Sequence, residues 1–387
     1  MERIVGTTVR GLRAPIIRKG DDIAKITADT VENFLKLENV KPNDKDIVAI
    51  TESIVARAQG NYATVDDIAK DIEKKFGKET IGVIHPILSR NRFAINLKGF
   101  ARGAKKIILM LSYPADEVGN HLIYLDKLDQ SGINPWADVL TEEKFRAAFG
   151  YEKHTFTGID YIDYYKELVK AEGAQCEILK FTKNVINCDI HTRKRTKNQL
   201  IAAGGEKIYS LDDILCEKTD EHGYNEDYGL LGTNKATEES VKLFPRDCKE
   251  LAYKIQGMLM EATGKTIEVM VYGDGAFKDP VGKIWELADP VVSPGYTAGL
   301  EGTPNEVKIK YLADNNFSNL SGDELKHAIE KHIHDKDANL TGKMEAQGTT
   351  PRRLTDLLGS LCDLTSGSGD KGTPIIYIQG YFDNYSI

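Results

Sequence analysis

VMVYGDGAFKDP, residues 269–280, runs from an apolar, β-branched segment straight into Asp274 and Asp279, with Gly273 and Gly275 around the first acid and Lys278 before the second. The unbroken apolar run suits a buried strand. Its continuation has two readings. One is a polar hairpin. The other is a strand end at which Asp274 supplies a hard oxygen ligand and the glycines let backbone approach a nucleotide phosphate. Asp279 precedes Pro280, and Asp-Pro favours the start of a turn, so a turn acid is the preferred reading there.

Working outward, PRDCKELAYKIQGMLMEATGK (245–265) has the periodicity of a long helix that starts at Pro245 and stops near Gly264, and TIEVMVY (266–272) is the strand that feeds the motif. DIAKITADTVENFLKL (22–37) is a helix that the pair Asp21 and Asp22 can cap, and VDDIAKDIEKKFG (65–77) is an amphipathic helix closed by Gly77. DIVAITESIVARAQG (46–60) begins as a buried strand and continues into a segment holding Ser53, Arg57 and Gly60. KKIILMLSYP (105–114) reads as a strand ended by Pro114, YIDYYKELVKAEG (161–173) as a helix and AQCEILKFTKNVINCDIHT (174–192) as a strand pair. Strands and helices alternate without a repeat, which predicts an α+β or mixed α/β fold.

The chain has 387 residues, enough for two domains or one domain with a large insertion. Hydrophobic residues at 41%, charged at 28% and aromatic at 8% are those of a soluble globular protein. A net charge of −8 argues against general nucleic-acid or membrane binding. The five cysteines are scattered and nowhere spaced as CxxC, so a disulfide framework and a thiolate zinc site are both disfavoured, and a reducing cytoplasm is expected. The longest apolar run outside the motif, IILML at 107–111, is too short to span a bilayer.

Several motifs are weaker than they look. GSGDKG (367–372) matches GxGxxG, but a helix precedes it and a strand follows, the reverse of the dinucleotide-binding order; a turn whose N–H groups cradle an anion is the remaining functional reading. His332 and His334 in EKHIHDKD (330–337) lie two apart, so they do not share a helix face, and a solvated helix end is favoured over a metal site. The basic run HTRKRTKNQ (191–199) lacks interleaved aromatics and reads as a hairpin tip, with phosphate contact as the alternative. There is no GxxxxGK[ST], HExxH or GxSxG. What remains is a set of acids and small residues in HGYNEDYGLLGTN (222–234), around Asp274, and at Asp356 before the glycine-rich turn. Such acids either cap turns and helices or gather a divalent cation and a polyphosphate for phosphoryl transfer and amide formation.

These segments resemble, in order, those of the coenzyme F420-0:L-glutamate ligase family. VRGLRAPIIRKGDDIAKI (9–26) is similar to its opening strand, glycine-leucine turn and GDD helix start, and ITESIVARAQGNY (50–62) to its next strand and turn. HGYNEDYGLLGTNKATEESVKLFPRDCKELAYKI (222–255) resembles its HGF…NAGIDASN…LLPxDPDxxA region, with Gly232, Pro245 and Asp247 on matching positions. TGKTIEVMVYGDG (263–275) and TDLLGSLCDLTSGSGDKGTPIIYIQG (355–380) resemble its metal-loop strand and its closing helix, turn and strand.

The resemblance implies a GTP- or ATP-dependent ligase that joins L-glutamate to a small-molecule carboxylate acceptor in the presence of Mg2+ or Mn2+, with K+ as a further ion, and that forms a homodimer. Asp274 and Asp356 are its implied catalytic acids, and Asp274 and Asn234 its implied metal ligands. Gly273, Gly275, Ser53, Arg57, Gly367 and Gly369 are implied around the nucleotide. Two departures matter: Asn234 stands where the family has an aspartate, and Gly275, Ala276 and Phe277 replace the Thr and Asn-Gly-Arg after the metal acid. Residues 85–221 have no aligned counterpart and are expected to be an inserted subdomain within a core of 1–84 and 222–387. Its Arg90, Arg92 and Arg102 are candidates for phosphate contact, against the commoner role of surface charges. A ligase for a different acceptor such as a folate, an inactive nucleotide-binding regulator and a structural protein are the rival readings.

Overall fold

The computed structural model describes residues 4–386 except 91, 117–119, 135–137, 179–181, 189–199, 202–203, 279–284, 350–351 and 367–369; the side chains of 86–87, 92, 112–116, 274–278 and 285–292 also lie outside the described residues. The chain forms a mixed α/β fold of two compact units, the first comprising Met1–Ala58, Asp247–Asp274 and Asp289–Ile387, the second Gln59–Arg246 and Gly275–Ala288. Residues 85–221, expected as an insertion, lie within the second unit together with 59–84 and 222–246, expected in the core, and residue 85 falls inside one of its strands.

The first unit is built on a five-stranded sheet of β1 (Thr8–Leu12), β2 (Ile47–Thr51), β11 (Glu268–Lys278), β12 (Trp285–Tyr296) and β13 (Ile375–Gln379), in the order β1-β13-β2-β11-β12. β2 and β11 are parallel, whereas β13 is antiparallel to β1 and to β2. The period of two along a strand sends Val48, Ile50, Val269 and Val271 to one face, against helices α1 (Ile23–Leu37) and α8 (Cys248–Thr263), and Ile47, Ala49, Met270 and Tyr272 to the other, against α10 (Leu354–Ser366). Both faces are dry, which is why IVAI and VMVY are continuously apolar. Asp22 caps α1, accepting a hydrogen bond from the Lys25 N–H at 3.1 Å, and Gly264 ends α8 in the left-handed region. α9 (Gly322–His334) carries the paired histidines at its C-terminus; His334 is exposed, while His332 Nε2 lies 2.6 Å from Glu345 Oε2.

β11 does not stop at Tyr272 as expected. It continues through Asp274 to Lys278, because β12 pairs beside it.

The second unit holds a parallel sheet of β4 (Thr80–Leu88), β5 (Lys106–Asp116), β6 (Gln175–Ile178), β7 (Asn184–Asn187) and β8 (Lys207–Ser210), together with a small sheet of β3 (Tyr62–Thr64), β9 (Asn234–Thr237) and β10 (Ser240–Lys242). Helices α3 (Val65–Phe76), α4 (Arg92–Arg102) and α7 (Tyr161–Ala171) contribute Ile68, Phe100 and Tyr165 to its core. β5 runs past Pro114, contrary to expectation. The β4–β5 register shifts between His85 and Ile87, and Pro114, which has no N–H to donate, falls within that irregularity. β6 and β7 both form, but not as a pair: β5 and β4 lie between them.

α3 and α4 approach closely because α4 carries Gly99 and Gly103. A Cβ on Gly99 would sit 2.4 Å from Ile68 Cγ2, and one on Gly103 would sit 2.6 Å from the Ala69 carbonyl oxygen. Gly99→Ala is therefore expected to destabilise the protein by about 1–3 kcal/mol through overpacking. Urea unfolding measures this, and an unchanged midpoint would show that the helices can separate without cost.

Candidate functional site

The parallel pairing of β2 with β11 sets Thr51 opposite Tyr272, so both strands release their next residues at one end of the first unit's sheet. There Glu52 and Ser53 open helix α2 (Glu52–Gln59) while β11 presents Gly273 and Asp274. Glu52 is only 2% exposed, and a Cβ on Gly273 would lie 2.1 Å from its Cγ, so the glycine is needed for the carboxylate-bearing chain to fit. α2 starts at this point, and its N-terminal N–H groups and dipole favour negative charge beside it.

The antiparallel β13 brings its beginning to the same end. Ile375 lies opposite both Ile50 and Leu12, the Thr51 N–H donates to the Pro374 carbonyl at 3.1 Å, and the Ala14 N–H donates to the Gly372 carbonyl at 3.2 Å. The glycine-rich turn thus connects the end of α10 to this edge. Gly372 has a φ of 65°, a conformation that L side chains rarely adopt. Gly367 and Gly369 lie outside the described residues, as does Asp279.

Of the residues singled out in the sequence, Gly273, Asp274 and Ser53 gather here, with Gly275 next along β11; Ser53 is exposed, and the side chain of Asp274 lies outside the described residues. Arg57 is exposed in the last turn of α2. Asp356 does not join them. It stands in the first turn of α10, ten residues or about 15 Å of helix before the end that leads to the glycine-rich turn. Its charge, with those of Glu301 and Arg353, acts on Tyr296 at the far end of β12, and burial raises the pKa of that phenol. The nearby end of β11 has its own buried acid, Glu268, which accepts hydrogen bonds from Thr297, from Gln256 Nε2 at 3.3 Å and from the Gly299 N–H at 3.2 Å. Asn234 belongs to the second unit, as the first residue of β9, opposite Lys242. Arg102 is committed to ion pairs with Asp66 at 2.6 Å and with Glu172 and Glu239 at 2.8 Å each, which hold its pKa above the usual arginine range.

The sequence reading passed over Glu52. The signal was an acid directly after a buried apolar strand, the same pattern that drew attention to Asp274. Among the described residues no three His, Cys, Asp or Glu side chains form a metal-ligating group. Glu52 is a buried carboxylate, an oxygen donor of the kind that suits Mg2+ or Mn2+, at the strand end where Gly273 lets it fit and where Asp274 is the next residue of β11.

A search among curated proteins finds no match to the chain. The family model for F420-0:gamma-glutamyl ligase matches residues 11–380. The match runs from within β1 to just past β13, and the chain belongs to the F420-0:gamma-glutamyl ligase family of ligases.

Proposed function

We propose that this ligase uses a nucleoside triphosphate and a divalent cation to add L-glutamate to the carboxylate of F420-0 or a related acceptor through an acyl phosphate. The observation that supports the reading is the strand end where buried Glu52 packs on Gly273 next to Asp274, with the turn before β13 at its side. A carboxylate held in a buried place is costly, and that cost is offset when a cation lies against it. Glu52 and Asp274 are the residues that would hold it, and a bound Mg2+ or Mn2+ supplies charge neutralisation at phosphate oxygens. The open space beside Gly372 leaves room for a phosphate to come close, and the start of α2 favours its charge.

In the reaction, an oxygen of the acceptor carboxylate attacks the terminal phosphorus and the nucleoside diphosphate leaves. The glutamate amine then attacks the acyl carbon, phosphate departs, and the amine gives up a proton. The chain's own task is to align these groups and neutralise charge. Calorimetric titration with GTP should give binding in Mn2+ and at least ~10-fold weaker binding in chelator. Mass spectrometry after incubation with F420-0, glutamate, GTP and Mn2+ should show a glutamyl increment. Equal GTP affinity with and without the cation, or no increment with F420-0 or a folate, would count against the proposal.

A further inference from the structure

β1 is an edge strand of the first unit's sheet, bonded to β13 on one side, and α1 packs across the face that Arg10 and Leu12 share. Between this strand and this helix lies a cavity of about 580 Å³. The strand and the residue after it contribute Arg10, Leu12 and Arg13 to its wall; α1 contributes Phe34 and Leu37, with Glu38 at the helix C-cap. β13 lies between this edge and β2, whose end carries Glu52, and the ligase reading makes no use of the cavity.

Arg10 is the residue that calls for a ligand. Its guanidinium lies over the Phe34 ring, 5.6 Å from the ring centre, and that ring lies 5.2 Å from Tyr377, the register partner of Arg10 on β13. An aromatic ring serves the face of a guanidinium, whereas its N–H groups lie in the plane and still need acceptors. Arg10 Nη1 is shielded from solvent and has no hydrogen-bond partner among the described residues. The nearby acids are committed elsewhere. Asp46 accepts from Tyr377 Oη at 2.6 Å, from Gln379 Nε2 at 3.1 Å and from the Asn43 N–H at 2.8 Å. On α1, Asp29 pairs with Lys25 at 3.0 Å and Glu32 with Lys36 at 3.4 Å. A shielded cationic N–H without an acceptor is uncommon in a folded protein, and a forked anion supplies what it lacks.

The rest of the wall sets the charge and size of that anion. Arg13 is exposed and forms no ion pair among the described residues. Two guanidinium charges against the Glu38 carboxylate leave one net positive charge, which complements a singly charged anion better than a phosphate dianion. Glu38 and the C-terminal end of α1 both repel negative charge, so the anion belongs at the arginine end. Leu12, Phe34 and Leu37 give the remainder of the molecule an apolar wall, and the volume suits a ligand larger than a bare ion.

We propose that the cavity between β1 and α1 binds a monocarboxylate with an apolar body, its carboxylate held by Arg10 and Arg13 and its body lying against Phe34 and Leu37. The test is equilibrium dialysis of the full chain against hydrocinnamate, in chelator and without nucleotide. Acetate carries the charge without the body, hydrocinnamyl alcohol the body without the charge, and phenyl phosphate a second charge. Hydrocinnamate should bind at one equivalent, with all three comparators at least ~5-fold weaker. Arg10→Met keeps much of the stem and removes the fork, and should weaken binding by ~10-fold or more, the scale of a lost charged hydrogen bond. Arg13→Ala, at an exposed position, should weaken it by ~3-fold and flatten its salt dependence. Glu38→Gln should strengthen phenyl phosphate binding by ~3-fold, because a repelling charge is removed. Glu52→Gln, altered at the ligase centre, should bind hydrocinnamate as the parent does, which separates failure of this proposal from failure of the ligase reading. The proposal fails if hydrocinnamate does not saturate, if acetate binds equally well, if Glu38→Gln leaves phenyl phosphate unchanged, or if binding is lost in Glu52→Gln. It also fails if Arg13→Ala binds like the parent, a result that stands even where Arg10→Met does not fold.

Discussion

Asp274→Ala is expected to lower glutamyl transfer by at least ~100-fold and to remove cation-dependent GTP binding, the scale seen when one charged group that acts on the transition state is deleted. Asp274 follows Gly273 at the point where parallel β2 and β11 end their shared register, beside the start of α2. Alanine leaves the strand backbone intact, so the melting temperature should move little. Asp279→Ala is the control: that acid comes five residues later, before Pro280, and its loss should leave binding measurable. Single-turnover assays and calorimetry on both variants decide the matter. If Asp274→Ala binds GTP and Mn2+ as the parent does, the GDGAFK segment serves only as the paired strand it forms with β12, and the reacting centre lies elsewhere.

Gly273→Ala is expected to damage activity more than its size suggests. The added methyl would lie 2.1 Å from Glu52 Cγ and 3.0 Å from its Cβ, so the side chain must move near its root, where it has little freedom. Because Glu52 is 2% exposed, displacement pushes it into packed core, at a cost of about 1–3 kcal/mol. Glu52→Gln separates charge from shape. It keeps the volume, should leave the unfolding midpoint nearly unchanged, and should still reduce transfer by ~100-fold. The double variant Gly273→Ala/Glu52→Ala relieves the clash and should regain stability without regaining activity, a non-additive pair expected of residues in contact. Parallel recovery of stability and transfer in the double variant would reduce Glu52 to a packing residue. Thermal melts and initial rates on the four proteins make the comparison.

Much of this was legible along the chain because local physics governs it. The helices at 23–37, 65–76, 161–171 and 248–263 follow from apolar spacing, with Asp22, Gly77 and Gly264 marking ends of three of them. The buried strands IVAI and VMVY follow from continuous apolar runs, and the ordered motifs pointed to the family that the whole-chain match shows. Strand ends were harder to read. Whether GDGAFK is loop or strand depends on β12 lying beside it, and whether Pro114 ends β5 depends on a register shift in β4.

Only the tertiary structure decided which acids stand at the strand end. Asp274 and Asp356 looked equivalent in sequence, but α10 runs toward the glycine-rich turn with Asp356 at its remote start, while the parallel register of β2 and β11 puts Glu52 against Gly273. Likewise the runs at 80–88, 106–116 and 184–187 announce strands, yet nothing in them states that β4 sits between β5 and β7. Propensity and periodicity act over a few neighbouring residues and determine elements by themselves. Strand order and the meeting of side chains far apart in sequence depend on which faces pack and which registers close, and that is a property of the assembled chain.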